Sequence, residues 1–172
     1  TVCSIFVNPA QFNDPADLER YPRTPEKDLG MLLETGCQIL FMPGVDDVYP
    51  AKKKAALDLD FGYLTEPMEG AHRPGHFQGM AQDVHRLLDI VRPQRLYMGQ
   101  KDFQQFTIVQ HMLHLTHSST KLVVCPIVRE KDGLAMSSRN ALLSPAERAL
   151  APLVYQTLLD AKNKMHALFP RQ

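Results

Sequence analysis

The sequence predicts an α/β chain of Rossmann-like type, a largely parallel sheet flanked by helices. Two observations carry this. Short apolar, strand-like runs alternate with stretches of helical period along most of the chain. The 172 residues, 44% of them hydrophobic, are also enough to bury one sizeable core.

Thr1 to Val7 (TVCSIFV) reads as a buried strand, and Pro9 stops it because proline has no N–H to give a ladder. The chain opens inside that strand without an initiator methionine and reads as a fragment. Asp14-Pro15 and Thr24-Pro25 are helix starts, each placing proline at the first helical position. Leu29, Leu32 and Leu33 then recur at helical spacing, Gly36 suits a helix end, and Gln38 to Met42 resumes as a strand. Asp46 to Gly79 is rich in Pro and Gly and reads as loops, with a short extended piece at Leu57 to Leu64. Met80, Val84, Leu87, Leu88 and Val91 form the stripe of an amphipathic helix ended by Pro93. Arg95 to Met98 is the next strand, a helix carries Phe103, Phe106, Val109 and Leu113, and Lys121 to Cys125 is a further strand. Ser144-Pro145-Ala146-Glu147 is a capping box opening a last helix, whose face is lined by Leu150, Leu153, Val154, Leu158 and Met165.

Charge and cysteine content exclude several classes of function. Nineteen basic and nineteen acidic residues balance, and no long like-charge block offers a footprint for nucleic acid. Lys52-Lys53-Lys54 is short enough to be a solvated turn. Cys3, Cys37 and Cys125 lie far apart without metal spacing, which fits a reducing, cytoplasmic setting. No apolar run reaches a membrane-spanning length, and no signal peptide is recognisable.

In open α/β sheets ligands bind beyond the carboxyl ends of the strands, which singles out four loops. Asn8 and Gln11 present amides that both donate and accept, suited to a hydroxy acid, although Asn8 could equally satisfy its own turn. Arg73-Pro74-Gly75-His76-Phe77-Gln78-Gly79 opens a helix, where N–H groups attract anions; His76 taken alone fits a structural role as well. In Gly99-Gln100-Lys101-Asp102, the lysine can neutralise a phosphate and Asp102 can hold magnesium on it. Lys101 and Gln105 are four apart, so they share a cleft if the helix begins near Asp102; a surface ion pair at a helix start is the alternative. Asp132-Gly133-Leu134-Ala135-Met136-Ser137-Ser138-Arg139-Asn140 offers two hydroxyls and a guanidinium behind a glycine turn, a mobile phosphate clamp or a polar turn before a cap. No His-Asp pair marks either serine as a nucleophile, so both are assigned to binding.

Five motifs in order, SIFVNPAQF, YPRTPEKD, RPGHFQG, GQKDFQQ and DGLAMSSRN, closely resemble the pantoate–β-alanine ligase family. The resemblance implies a Rossmann-like nucleotidylyltransferase fold related to class I aminoacyl-tRNA synthetases, with MSSR as counterpart of their mobile loop. It implies two domains, 1–126 for ATP and pantoate and 127–172 for the hinge, the MSSR loop and the start of a C-terminal domain. It implies ligation of pantoate and β-alanine through pantoyl adenylate, with Mg2+ accompanying ATP, in a cytoplasmic homodimer. Gly99, Gln100, Lys101, Asp102, Val128 through its backbone, Met136, Ser137, Ser138 and Arg139 would hold ATP. Lys101, Ser137, Ser138 and Arg139 would act on the transferring phosphates, and Asp102 would meet the metal. Asn8, Gln11, Gln105 and His76 would serve pantoate and β-alanine.

The chain departs from the family pattern at Gln100, where glutamate is usual, and along Gln82-Asp83-Val84-His85-Arg86, where Asp83 stands at an apolar position. A first strand with an H-x-G-H loop is expected before Thr1, and most of a C-terminal domain after Gln172. Two other readings stay open: a related adenylyltransferase with a different acceptor, and a truncated, non-catalytic nucleotide-, pantoate-binding or dimerisation module.

Overall fold

The computed structural model describes residues 1–9, 12, 15–50 and 57–168. It divides the chain into two compact units, Thr1–Cys125 and Pro126–Gln172. The expectations for Gln11, for Asp14 as a helix cap and for the lysines at 52–54 lie outside the described residues.

In the first unit, β1 (Val2–Ser4) pairs in parallel with β2 (Ile39–Phe41), Val2 opposite Ile39, and Ile5 N–H to Phe41 O at 3.0 Å carries the pairing one residue further. Parallel neighbours need a crossover. Here it contains α1 (Pro15–Arg20) and α2 (Pro25–Glu34), and Gly36 takes the left-handed φ of +69° that turns the chain back. Thr24 precedes α2 without capping it through its side chain. The second parallel pair is β3 (Arg95–Gly99) with β4 (Lys121–Cys125), crossed over by α6 (Phe103–Leu115). Among the described residues the expected sheet is thus two separate two-stranded parallel pairs. Val2, Ile39, Tyr97 and Val124 on these strands are exposed, which corrects the reading of the first strand as buried.

The core sits between α5 (His76–Val91) and α6. Phe77, Met80 and Ala81 of α5 meet Ile108, Val109, Met112 and Leu113 of α6, with Phe61 joining them. Leu96, Met98 and Leu122 of the second strand pair pack on this cluster, which ties the helix pair to the sheet. Helix α5 begins at His76, so most of RPGHFQG is helix rather than loop.

The middle segment is more structured than its composition suggests. It holds α3 (Val45–Val48), a 3-10 turn at Gly62–Thr65 and α4 (Glu69–His72). The extended piece expected at Leu57 to Leu64 gives way to that turn because Gly62 adopts φ +51° and donates its N–H to Asp60 Oδ1 at 2.8 Å.

In the second unit Arg129 and Ala135 form an antiparallel bridge, closing a hairpin-like turn around Gly133. A 3-10 turn spans Ser138–Leu142, followed by α7 (Pro145–Leu150) and α8 (Leu153–Leu168). The capping box forms as expected: Glu147 N–H reaches Ser144 Oγ at 3.3 Å and Ser144 N–H reaches Glu147 Oε2 at 2.8 Å. The single expected helix is two, parted at Ala151-Pro152, and its apolar stripe from Leu150 to Met165 is exposed.

Candidate functional site

Asn8, in the loop after β1 and directly before Pro9, is 1% exposed. Its Nδ2 donates to the Tyr49 hydroxyl at 3.1 Å and weakly to Gly79 O at 3.5 Å, so the first two of the four loops meet through this amide. One turn further along α5 lies Asp83, 6% exposed. Burial pushes its carboxyl up to about 7. The Tyr49 hydroxyl is pushed up to about 12, chiefly by burial and then by the Asp83 charge. Arg86 caps the neighbouring turn, donating from Nε to Val48 O at 3.0 Å. His76 opens α5 behind Gly75, which is left-handed at φ +76°, and its ring packs edge-on against Phe77 at 4.9 Å.

The loop after β3 is open. A Cβ on Gly99 would meet nothing within 4 Å, and Gln100, Lys101 and Asp102 are exposed. Gln100 N–H to Cys125 O at 2.8 Å prolongs the strand pairing to the edge of the loop. Asp102 is exposed and precedes α6 without a side-chain cap bond. The helix starts at Phe103 with Asp102 at its N-cap position, near where it was expected, and Lys101 stands just before it. Gln105 is half-buried in the first turn of α6.

Its neighbour Gln104 has a role that the motif reading missed. At 8% exposure it donates from Nε2 to Leu64 O at 2.9 Å and Pro67 O at 2.8 Å, and accepts from Glu69 N–H at 3.2 Å. It stands four and eight residues before the core residues Ile108 and Met112, a helical spacing that points inward.

In the second unit the predicted phosphate residues are gathered by the hairpin. Met136 N–H reaches Val128 O at 3.0 Å, and Asn140 Nδ2 reaches Ala135 O at 3.1 Å. Ser137 Oγ accepts from Arg139 N–H at 3.3 Å, capping the 3-10 turn, so this hydroxyl already has a structural task. Met136, Ser138 and Arg139 are exposed.

A cavity of about 310 Å³ lies elsewhere, at the far ends of α5 and α6, lined by Leu88, Arg92, Met112 and Thr120 among others. It borders the residues that precede β3 and β4, whereas the sequence motifs occupy the loops that follow strands. Among the described residues no cluster of three His, Cys, Asp or Glu side chains could hold a metal, and no helix is long and apolar enough to cross a membrane. A hydrated divalent ion on a polyphosphate asks for less, one or two carboxylates with phosphate oxygens and water, and the exposed Asp102 fits that need.

A sequence model of the pantoate-beta-alanine ligase family matches residues 1–171. The pantothenate synthetase of Porphyromonas gingivalis is 52% identical over 169 residues, covering 98% of this chain and 59% of that protein. That of Dehalococcoides mccartyi is 46% identical over 163 residues, covering 95% and 60%. The crystal structure of pantothenate synthetase from Thermus thermophilus superposes with a TM-score of 0.86 at 48% identity, over 92% of this chain and 57% of that one. Pantoate-beta-alanine ligase from Francisella tularensis, solved in complex with an ATP compound and β-alanine, gives 0.84 at 37% identity, over 90% and 59%. The chain spans about three-fifths of the length of these relatives. With its parallel pairs, crossover helices and ordered motifs, this Rossmann-like α/β chain belongs to the pantoate–β-alanine ligase family.

Proposed function

We propose that the chain supplies the nucleotide- and acid-handling part of an ATP-dependent ligase that makes pantothenate from pantoate and β-alanine. The observation that carries this reading is the family match across residues 1–171, with phosphate-directed residues on exposed loops after β3 and within 136–139. A pantoate carboxylate oxygen attacks the α-phosphorus of ATP, and the bond to the bridging oxygen of pyrophosphate breaks. The β-alanine amine then attacks the acyl carbon of the adenylate, AMP leaves, and the amine loses its proton.

Lys101 and Arg139 neutralise charge on the transferring phosphates, while Ser137 and Ser138 hold phosphate oxygens. Gly99, Gln100, Val128 and Met136 contact the nucleotide, and Asp102 with phosphate and water holds Mg2+, which supplies charge neutralisation when bound. Asn8, Gln11, Gln105 and His76 bind pantoate and β-alanine; the buried position of Asn8 gives it a fixed amide to present. The full-length protein works as a cytoplasmic homodimer. Catalysis is by positioning and preorganised charge, with no covalent enzyme intermediate.

The test is ATP–pyrophosphate exchange by the full-length protein in Mg2+, with and without pantoate, in the absence of β-alanine. Exchange that depends on pantoate establishes the adenylate half-reaction. Exchange driven only by another carboxylic acid moves the reading to a related adenylyltransferase, and Asp83 is the residue that favours that outcome. No exchange from a folded protein that binds ATP leaves a binding module.

A further inference from the structure

We propose that Tyr155 is the positioning residue for the Met136–Arg139 segment: its ring is the seat on which Arg129 and Gly133 fix the turn that presents it. The inference rests on the phosphate-binding role proposed for that segment. The guanidinium carbon of Arg129 stands 3.9 Å from the centroid of the Tyr155 ring. The same side chain donates from Nη1 to Gly133 O at 3.0 Å, so it joins the ring to the tip of the turn. Gly133 itself lies against the ring. Its φ is +92°, and a Cβ there would come within 2.3 Å of Tyr155 Cδ1 and 2.9 Å of Cε1. Glycine is required twice at this position, by backbone conformation and by contact with one aromatic face.

The turn passes this fixation on through a short chain of bonds. Gly133 N–H donates to Glu130 O at 2.9 Å, Glu130 N–H to Leu134 O at 2.7 Å, and Met136 N–H to Val128 O at 3.0 Å. Ser137 follows directly as cap of the 3-10 turn. Tyr155 thus acts through Gly133, which stands four residues before Ser137. The second tether, Arg148 Nη1 to Asp132 Oδ2 at 2.6 Å, is exposed and screened by salt, which leaves the ring as the tether that survives at high ionic strength. A cation over an aromatic face keeps Arg129 from competing for phosphate and commits it to geometry.

The experiment uses the full-length protein and the variants Y155F, Y155A and Y155L. Hydrogen exchange is read at the amides of Glu130, Gly133 and Met136, against those of Ile108 and Met112 as an internal standard for the fold. In Y155A the three turn amides should exchange about tenfold faster with the standards unchanged, and Y155F, which keeps the ring, should match wild type. Pantoate-dependent pyrophosphate exchange should lose kcat about tenfold in Y155A with the KM for pantoate unchanged, and regain it in Y155F. If Y155A does not fold, Y155L carries the test: it keeps apolar volume but removes the flat aromatic face, and should give the same exchange pattern. Unchanged turn amides in a folded Y155A or Y155L, or a Y155F as impaired as Y155A, overturn the proposal. Wild type without pantoate-dependent exchange overturns the ligase reading instead, and the amide pattern still decides whether Tyr155 positions the segment.

Discussion

The side-chain amide of Gln104 donates to the carbonyl of Pro67 at 2.8 Å, tying the first turn of α6 to the segment that leads into α4. With its bonds to Leu64 O and Glu69 N–H, one buried side chain satisfies three backbone groups. Gln104→Ala should destabilise by about 2–4 kcal/mol in urea denaturation, since each orphaned buried group carries its own desolvation penalty. Gln104→Glu should be at least as harmful at neutral pH, because a carboxylate would face two carbonyl oxygens, and should recover in part on acidification. A neutral effect of Q104A on the urea midpoint would contradict the anchoring role.

Asp83 makes stability depend on pH in an uncommon direction for a carboxylate. Its folded value of about 7 lies above the ordinary 3.8, so between these values the native state binds more protons than the unfolded chain. The sign is therefore negative: stability is full below the unfolded value and is lost as pH rises through about 7. Asp83→Asn should flatten this slope and exceed wild type by a few kcal/mol at pH 8, measured by chemical denaturation across pH 4–8. Equal slopes in the two proteins would show that burial of this carboxyl does not penalise its charge.

Two glycines should respond in opposite ways to the same change. A Cβ on Gly70 would lie 2.0 Å from Thr65 O, a backbone atom, whereas one on Gly99 meets open space. Gly70→Ala should unfold or strongly destabilise the chain, and Gly99→Ala should leave Tm within about 1 °C. Any loss of ATP binding in folded G99A then reports a ligand approaching the backbone closely.

Lys101→Met, assayed by pantoate-dependent pyrophosphate exchange, should lower kcat by about 10²-fold while leaving the KM for pantoate within about threefold. K101R should restore only part of the rate, since a forked guanidinium does not replace a compact ammonium. A kcat unchanged in K101M would remove this lysine from the phosphate-handling group.

Alternation of strand and helix was legible because each period survives in the chain: β3, α6 and β4 fall where the apolar runs place them, and the Ser144 box caps α7. The family was legible in its motifs. The 3-10 turn at Gly62–Thr65 and the start of α4 were not, since Gln104 ties them from a distant part of the chain. Gln104 was passed over in favour of Gln105 because adjacent identical residues differ only in which face of α6 they take. The clasp of Gly133 by Tyr155 joins residues 22 positions apart in unlike elements, a contact no local pattern encodes.

The exposed strand faces bear on how this chain behaves as a colloid. Val2 is 44% exposed, Ile39 56%, Tyr97 60% and Val124 40%, on short parallel pairs rather than in a covered sheet. The formal charge is zero at pH 7 and the isoelectric point about 7.0, so neutral buffer removes the long-range repulsion that would keep such surfaces apart. Light scattering of the isolated chain should accordingly peak near neutrality and fall at pH 9, and handling it away from its isoelectric point should decide whether it stays in solution at all.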